Sequence, residues 1–241
     1  MLNKEVNDLK REGLVELLKK FEIFTYCSDK QLEEISCFLY GRTYRKGQQL
    51  FTVGDPRERI YLLVNGFVKF EKSNPSASLA YADYISPNTL FPYGGFFSDK
   101  EYQYTAIAIT DVELYYIPTF YFEDMVKQNR KQLIFLVQKL SSLLHLHESR
   151  LQTITNSNAQ DRVIHALSYL MTDLGVKEGE DVVVCCPMTT TEISKISGTS
   201  RETVSHVIQD LKKNNVLSFA SKKITIHDED YFNKVGGNYF S

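Results

Sequence analysis

Between Leu133 and Ile154, seven residues recur in steps of 4, 3, 4, 3, 4 and 3: Leu133, Val137, Leu140, Leu144, His147, Leu151 and Ile154. Only an α-helix brings such positions onto one line, and a strict heptad repeat makes that line a seam for a second helix. The stretch therefore predicts one long helix, which divides the chain into a front part and a rear part. Leu136 and Leu143 widen the stripe, so packing within the helix's own domain stays open beside pairing with a second copy. His147 interrupts the seam as a tolerated or register-setting polar residue rather than a metal ligand. His145 does not join it, because alternate residues point about 200° apart on a helix.

The front part changes texture along its length. Over residues 3–40, Leu14, Leu17, Leu18 and Phe21, then Leu32, Ile35 and Leu39, fall at helical spacing. From about Thr43 to Ile117 short β-rich runs take over, at 50–53, 60–64, 67–70, 79–85, 104–109 and 112–117. Gly54-Asp55-Pro56 marks a turn. Asn65-Gly66 between two apolar runs predicts a hairpin closed by a type I′ turn. Closely spaced strands without intervening helices point to a sandwich or a jelly roll. Pro118-Thr119 opens the long helical region.

Behind the seam, Thr155-Asn156-Ser157-Asn158-Ala159 supplies cap-forming polar residues, and a helix is expected from about Asn158, with apolar residues at 163–174. A loop at 175–181 and a β-run at 182–186 follow. Thr189-Thr190-Thr191-Glu192 is a capping-box pattern and starts a short helix that Gly198 ends; Ser200 then caps a second helix to about Asn214. Two short helices about a glycine turn make a helix-turn-helix. On the second helix Val204, Val207, Ile208 and Leu211 fall on one side. Arg201, Glu202, Ser205, His206 and Gln209 fall on the other, within about 140° of arc. Beyond it, 216–219 and 223–226 can pair as a β-wing about Ala220-Ser221, with Lys222 and Lys223 beside it.

Charge agrees with this division. The whole chain carries −2, yet residues 189–225 hold six basic side chains against three acidic ones. A basic module on an acidic body suits a protein that presents one face to phosphate. No apolar run approaches the roughly 18 residues of a membrane helix. The charged N-terminal residues lack a secretory h-region, so a cytoplasmic protein is expected. Four cysteines without a repeating spacing make no disulfide framework, and Cys185 and Cys186 are expected as buried strand residues. Nucleophile elbows, metal-ligand spacings and phosphate loops are missing from the sequence, so neither an enzyme nor a resident metal or cofactor is expected.

Gly198-Thr199-Ser200-Arg201-Glu202-Thr203-Val204-Ser205, followed by Leu211-Lys212 and a lysine wing, resembles the recognition helix of the Crp/Fnr family of bacterial transcription regulators. Asp161-Arg162-Val163 sits where that family starts its DNA-binding domain. The resemblance implies an α+β chain in three parts. A cyclic-nucleotide-binding-type jelly roll with leading helices spans 1–118, a dimerisation helix and hinge 119–157, and a winged helix-turn-helix 158–241. It implies a homodimer on double-stranded DNA, with RNA polymerase as a further partner. Arg201 and Glu202 match the family's two main base readers; Ser205 lies beside them. His206 stands where the third reader is usually arginine, and offers one donor in place of a fork. Thr190, Ser200, Lys222 and Lys223 are the expected phosphate contacts. The implied half-site is similar to TGTGA, in an inverted repeat with half-sites about 34–36 Å apart.

One departure bears on the effector. Cyclic-nucleotide-responsive members carry a glutamate for the ribose and an arginine for the cyclic phosphate, where Tyr93 and Tyr104 stand here. Neither tyrosine replaces those charges, so a chain not switched by cyclic AMP is expected. Arg57 and Arg59 occupy a turn and a strand start, where exposure is expected. Tyr93, Phe96, Phe97 and Tyr104 outline a candidate effector pocket. It is either filled by its own side chains or open to an unidentified apolar, aromatic or peptide-like effector.

Overall fold

A computed structural model describes residues 12–73, 80–154 and 158–236. Its contacts group into two units: Met1–Phe70 with Ile85–Ser141, and Glu71–Tyr84 with Ser142–Ser241.

The first unit begins with a helix at 12–18 (α1), a 3-10 turn at Glu22–Phe24 and α2 (Asp29–Ser36). Ser28 caps α2 reciprocally. Its hydroxyl accepts from the Gln31 amide at 3.3 Å, and its own amide donates to the Gln31 side chain at 3.0 Å. Eight strands follow along the chain: β1 (Tyr40–Tyr44), β2 (Gln49–Phe51), β3 (Arg59–Asn65), β4 (Val68–Ser73), β5 (Ala80–Ile85), β6 (Thr89–Phe91), β7 (Thr105–Ala108) and β8 (Val112–Pro118), of which the end of β4 and nearly all of β5 group with the second unit. They form two four-stranded sheets, ordered β1-β8-β3-β6 and β2-β7-β4-β5.

Strand β3 shows why its sequence is an unbroken apolar run. Tyr61 and Leu63 join Phe51, Phe70, Phe91 and Leu114 in the sandwich core. Ile60 and Leu62 face the other way, into a second cluster with Leu18, Phe24, Ile35 and Phe122. A strand buried on both faces has no polar alternation to show.

The expected Asn65-Gly66 hairpin is not formed. β3 bonds to β8 and β6, whereas β4 lies in the other sheet, so residues 65–67 carry the chain from one sheet to the other. Gly66 has φ +85°, and a Cβ there would lie 2.2 Å from the Asp111 carbonyl oxygen. Glycine is required by that close approach, not by a two-residue turn.

The long helical region is two helices, α3 (Thr119–Gln128) and α4 (Arg130–Ile154). Asn129 between them is extended, and its side chain accepts from the Gln132 amide at 3.2 Å. That bond serves one of the orphan donors at the start of α4.

In the second unit α5 (Ala159–Leu174) packs against α6 (Thr190–Ser197), α7 (Arg201–Lys213) and α8 (Glu229–Gly236). Asn158 caps α5 as expected, accepting from the Gln160 amide at 2.9 Å. The expected loop at 175–181 is instead a hairpin of β9 (Gly175–Glu178) and β10 (Asp181–Val184), turning at Gly179 with φ +67°. A four-stranded sheet, β11-β12-β10-β9, carries the wing, with β11 at Leu217–Ala220 and β12 at Lys223–Ile226. Helix α8 is an addition to the elements expected from the sequence; Phe232 at its centre is fully buried.

Residues 71–73 and 80–84 belong to this unit by their contacts. The Tyr84 hydroxyl donates to Glu192 of α6 at 2.5 Å, and the Tyr169 hydroxyl of α5 donates to Asp83 at 2.7 Å. Arg150 donates to the Ala82 carbonyl at 2.8 Å.

Candidate nucleic-acid interface

Local chemistry sets the two helices of the motif. The Thr189 hydroxyl accepts from the Glu192 amide at 3.1 Å and starts α6. Gly198 ends that helix in the left-handed region at φ 60°, ψ 37°. Ser200 accepts from the Thr203 amide at 3.1 Å and starts α7 two residues later. Val204, Val207, Ile208 and Leu211 are buried, as are Ile193 and Ile196 of α6. These apolar faces fix α7 in place and decide which of its sides stays wet.

Arg201, Glu202, His206 and Gln209 are exposed and Ser205 is half-buried. Arg201, Glu202 and Ser205 thus share the wet side of the first turn and a half of α7. The Glu202 carboxyl sits below the ordinary carboxylate range. A hydrogen bond from its own backbone N–H contributes most, then one from the Ser200 hydroxyl, then the charge of Arg201. His206 pairs through Nδ1 with Asp210 one turn on, at 3.2 Å. That leaves Nε2 as its outward polar atom.

The wing differs by one residue from expectation. Ala220 pairs with Lys223, so the turn is Ser221-Lys222 rather than Ala220-Ser221. Both turn residues are left-handed, with φ 52° and 66°, which is the type I′ geometry that matches the twist of paired strands. Lys222 therefore stands at the tip, and its carbonyl accepts from the Met188 amide at 2.8 Å. That bond ties the wing tip to the segment that leads into α6. Lys223 lies 3.9 Å from Glu178 of β9, a partner that local sequence does not reveal. Thr190 is half-buried at the first turn of α6 and Ser200 is exposed.

On α4 the heptad residues separate into two groups. Val137, Leu144 and Leu151 are 59%, 57% and 65% exposed. Leu133 and Leu140 pack partly against the cluster around Leu136, within their own unit. Leu136 and Leu146, off the seam, are buried. His147 is half-buried, and the Ile154 side chain lies outside the described residues. One apolar stripe thus faces inward and another outward.

The four aromatic residues of the candidate effector pocket fall into different surroundings. Tyr104 stacks on Phe70 at 4.4 Å beside the sandwich core. Tyr93 and Phe96 pack into the cluster beneath the helices, and Phe97 is exposed against Lys127. Arg57, expected on the surface, is only 6% exposed. Its guanidinium pairs with Glu123 at 2.8 Å and lies 5.1 Å from the centre of the Phe96 ring, two partners distant in sequence. Arg59 is exposed at the start of β3, as expected. Cys186 is buried and its thiol is pushed up by burial, but Cys185 is exposed because β10 has already ended at Val184.

A capped helix pair with a wet recognition face and a lysine-tipped wing defines a DNA-binding winged helix-turn-helix, here preceded by a two-sheet jelly roll. The family model of the cyclic nucleotide-binding domain matches residues 41–129, and that of the Crp-like helix-turn-helix domain matches 161–235. An HTH-type transcriptional regulator ArcR of Staphylococcus haemolyticus is 30% identical over 90% of this chain and 92% of its own. The global nitrogen regulator of Synechocystis sp. is 28% identical over 77% of this chain and 84% of its own. Among solved structures, FixK2 from Bradyrhizobium japonicum shares the fold. Its TM-score is 0.70 at 20% identity, covering 82% of this chain and 96% of its own. The chain belongs to the Crp/Fnr family, whose members are transcription regulators rather than enzymes. Among the described residues no helix is long and apolar enough to cross a membrane.

Proposed function

We propose that the protein is a cytoplasmic homodimer that binds an inverted-repeat operator with half-sites similar to TGTGA and is not switched by cyclic AMP. The observation that carries the DNA reading is the exposed Arg201-Glu202 pair at the start of a helix whose opposite face is buried. An arginine fork matches the N7 and O6 acceptors of guanine, and a carboxylate accepts from cytosine N4. Ser205 and His206 read the neighbouring positions, with imidazole Nε2 making one bond where an arginine would make two. Thr190, Ser200, Lys222 and Lys223 contact phosphates and set the register. The outward stripe of Val137, Leu144 and Leu151 supports the dimer. Cyclic AMP independence is supported by tyrosines at 93 and 104, since Tyr104 spends its ring on Phe70 and offers no cation to a phosphate.

Fluorescence anisotropy on a labelled inverted repeat, against a scrambled duplex, tests this. Arg201→Ala removes one fork per half-site, each worth about 1–3 kcal/mol of discrimination. Preference for the repeat should fall at least tenfold, with nonspecific binding nearly kept. Wild-type preference in Arg201→Ala would refute the assignment, and a gain in operator affinity on adding cyclic AMP would refute the second part.

A further inference from the structure

The first unit contains a buried cation whose donors are not used up. Arg57 occupies the turn before β3, and its side chain is 2% exposed. Nη1 donates to Glu123 Oε1 at 2.8 Å, and the same oxygen accepts from the Phe97 amide at 3.1 Å. The Nε and Nη2 atoms of Arg57 are buried and have no hydrogen-bond partner among the described residues. The hydroxyl of Thr119, at the first residue of α3, is buried and unpartnered in the same sense. The Thr119 amide donates to the Glu58 carbonyl at 2.9 Å, so α3 begins directly against the segment that carries Arg57.

Both residues border one cleft of about 590 Å³. The Tyr116 ring in its wall is stacked with Tyr40 at 5.2 Å and covered by the Arg59 guanidinium at 4.8 Å. Phe120 on its rim is 73% exposed. None of the four aromatic residues of the candidate effector pocket lines it.

We propose that this cleft is a binding site for a small aromatic or apolar carboxylate, held by the Nε–Nη2 edge of Arg57 and the Thr119 hydroxyl. With Nη1 committed to Glu123, the remaining edge is the two-donor fork that matches a carboxylate. A buried guanidinium edge and a buried hydroxyl without partners are costly, and an anion satisfying both removes that cost. The charges set the class of anion. Arg57 and Arg59 are balanced by Glu58 and Glu123 at the same cleft, so it offers no surplus positive charge to a phosphate dianion. The Phe120 ring, exposed on the rim, gives the body of the ligand apolar surface. The site lies away from α7 and the wing in sequence and is independent of the DNA reading.

Fluorine NMR with 4-fluorobenzoate on the full chain tests the proposal, with folding of each variant checked by circular dichroism. A ligand of this size should saturate with a dissociation constant of about a millimolar. Arg57→Lys keeps the charge but loses the fork, and should weaken binding at least about tenfold. Thr119→Val keeps the shape and should weaken it about three- to tenfold, which decides the matter even if Arg57→Lys fails to fold. Benzylamine should not compete, and inorganic phosphate should not displace the probe at equal concentration. Absence of saturation, unchanged affinity in Thr119→Val, or displacement by phosphate would each overturn the proposal. All of these readouts are made without DNA, so their failure leaves the operator assay untouched.

Discussion

Leu144 on α4 gives a test of the dimer seam whose size follows from exposure. Full burial of a leucine side chain is worth about 1.5–3 kcal/mol. Leu144 is 57% exposed in the single chain, so a partner helix has roughly half of that to gain. A two-fold axis places two such leucines at the interface, and alanine keeps part of the packing. Leu144→Ala should therefore weaken the dimer by about 1–2 kcal/mol, roughly 5- to 30-fold in dissociation constant. Sedimentation equilibrium over a range of concentrations measures this directly. The matching control is Leu146→Ala, one half-turn away, where the side chain is 6% exposed. That change opens a cavity within the chain and should cost about 2–5 kcal/mol of folding stability without the same effect on association. A monomeric wild type, or equal dimer constants for Leu144→Ala and wild type, would refute the placement of the seam.

Gly66→Ala should destabilise the first unit by about 2–4 kcal/mol in urea unfolding, combining the left-handed φ with the 2.2 Å approach to Asp111. Lys222→Ala should weaken binding to all duplexes alike. It should flatten the plot of log affinity against log salt by about 0.9 for each phosphate it no longer neutralises, with an unchanged slope counting against the wing assignment. Burial holds the His165 imidazole below its ordinary 6.5, only partly offset by Asp161. The unfolded chain therefore takes up the proton first as pH falls, and stability is lost from about pH 7 downward until the folded state protonates too. His165→Asn should make the urea midpoint less sensitive between about pH 7.5 and 5; equal sensitivity would show that His165 plays no part.

The helix-turn-helix was legible because its determinants are local. Thr189, Gly198 and Ser200 act within four residues of themselves, and the burial of Val204, Val207, Ile208 and Leu211 follows from helical period alone. Asn65-Gly66 misled because hydrogen-bond partners in a sheet are chosen across the chain. β3 takes β8, far along the sequence, in preference to its neighbour β4. The seam on α4 was legible as a helix but not as two surfaces. Val137, Leu144 and Leu151 share one position of the repeat and Leu133, Leu140 and His147 the other, and only the neighbouring elements decide that the first set is exposed and the second half-buried. Arg57 was misplaced for the same reason. Glu123 and Phe96, which hold it inside, are far away in sequence. Lys222 was found with the right element and the wrong turn position, because one residue of register decides which side of the wing it occupies.

If Glu202 reads a base as proposed, the local groups that lower its carboxyl have a thermodynamic consequence for how an operator would be selected. Before any duplex arrives, the backbone N–H of Glu202 and the Ser200 hydroxyl already favour the charged carboxylate and hold it below the ordinary carboxylate range. A cytosine amino group that meets it therefore replaces existing partners instead of adding a bond to a bare acceptor. The correct base brings little net gain, while a wrong base that displaces those partners without replacing them leaves a desolvated carboxylate. Discrimination at that position then resides in rejection, and should show up as faster release from mismatched sites rather than slower arrival.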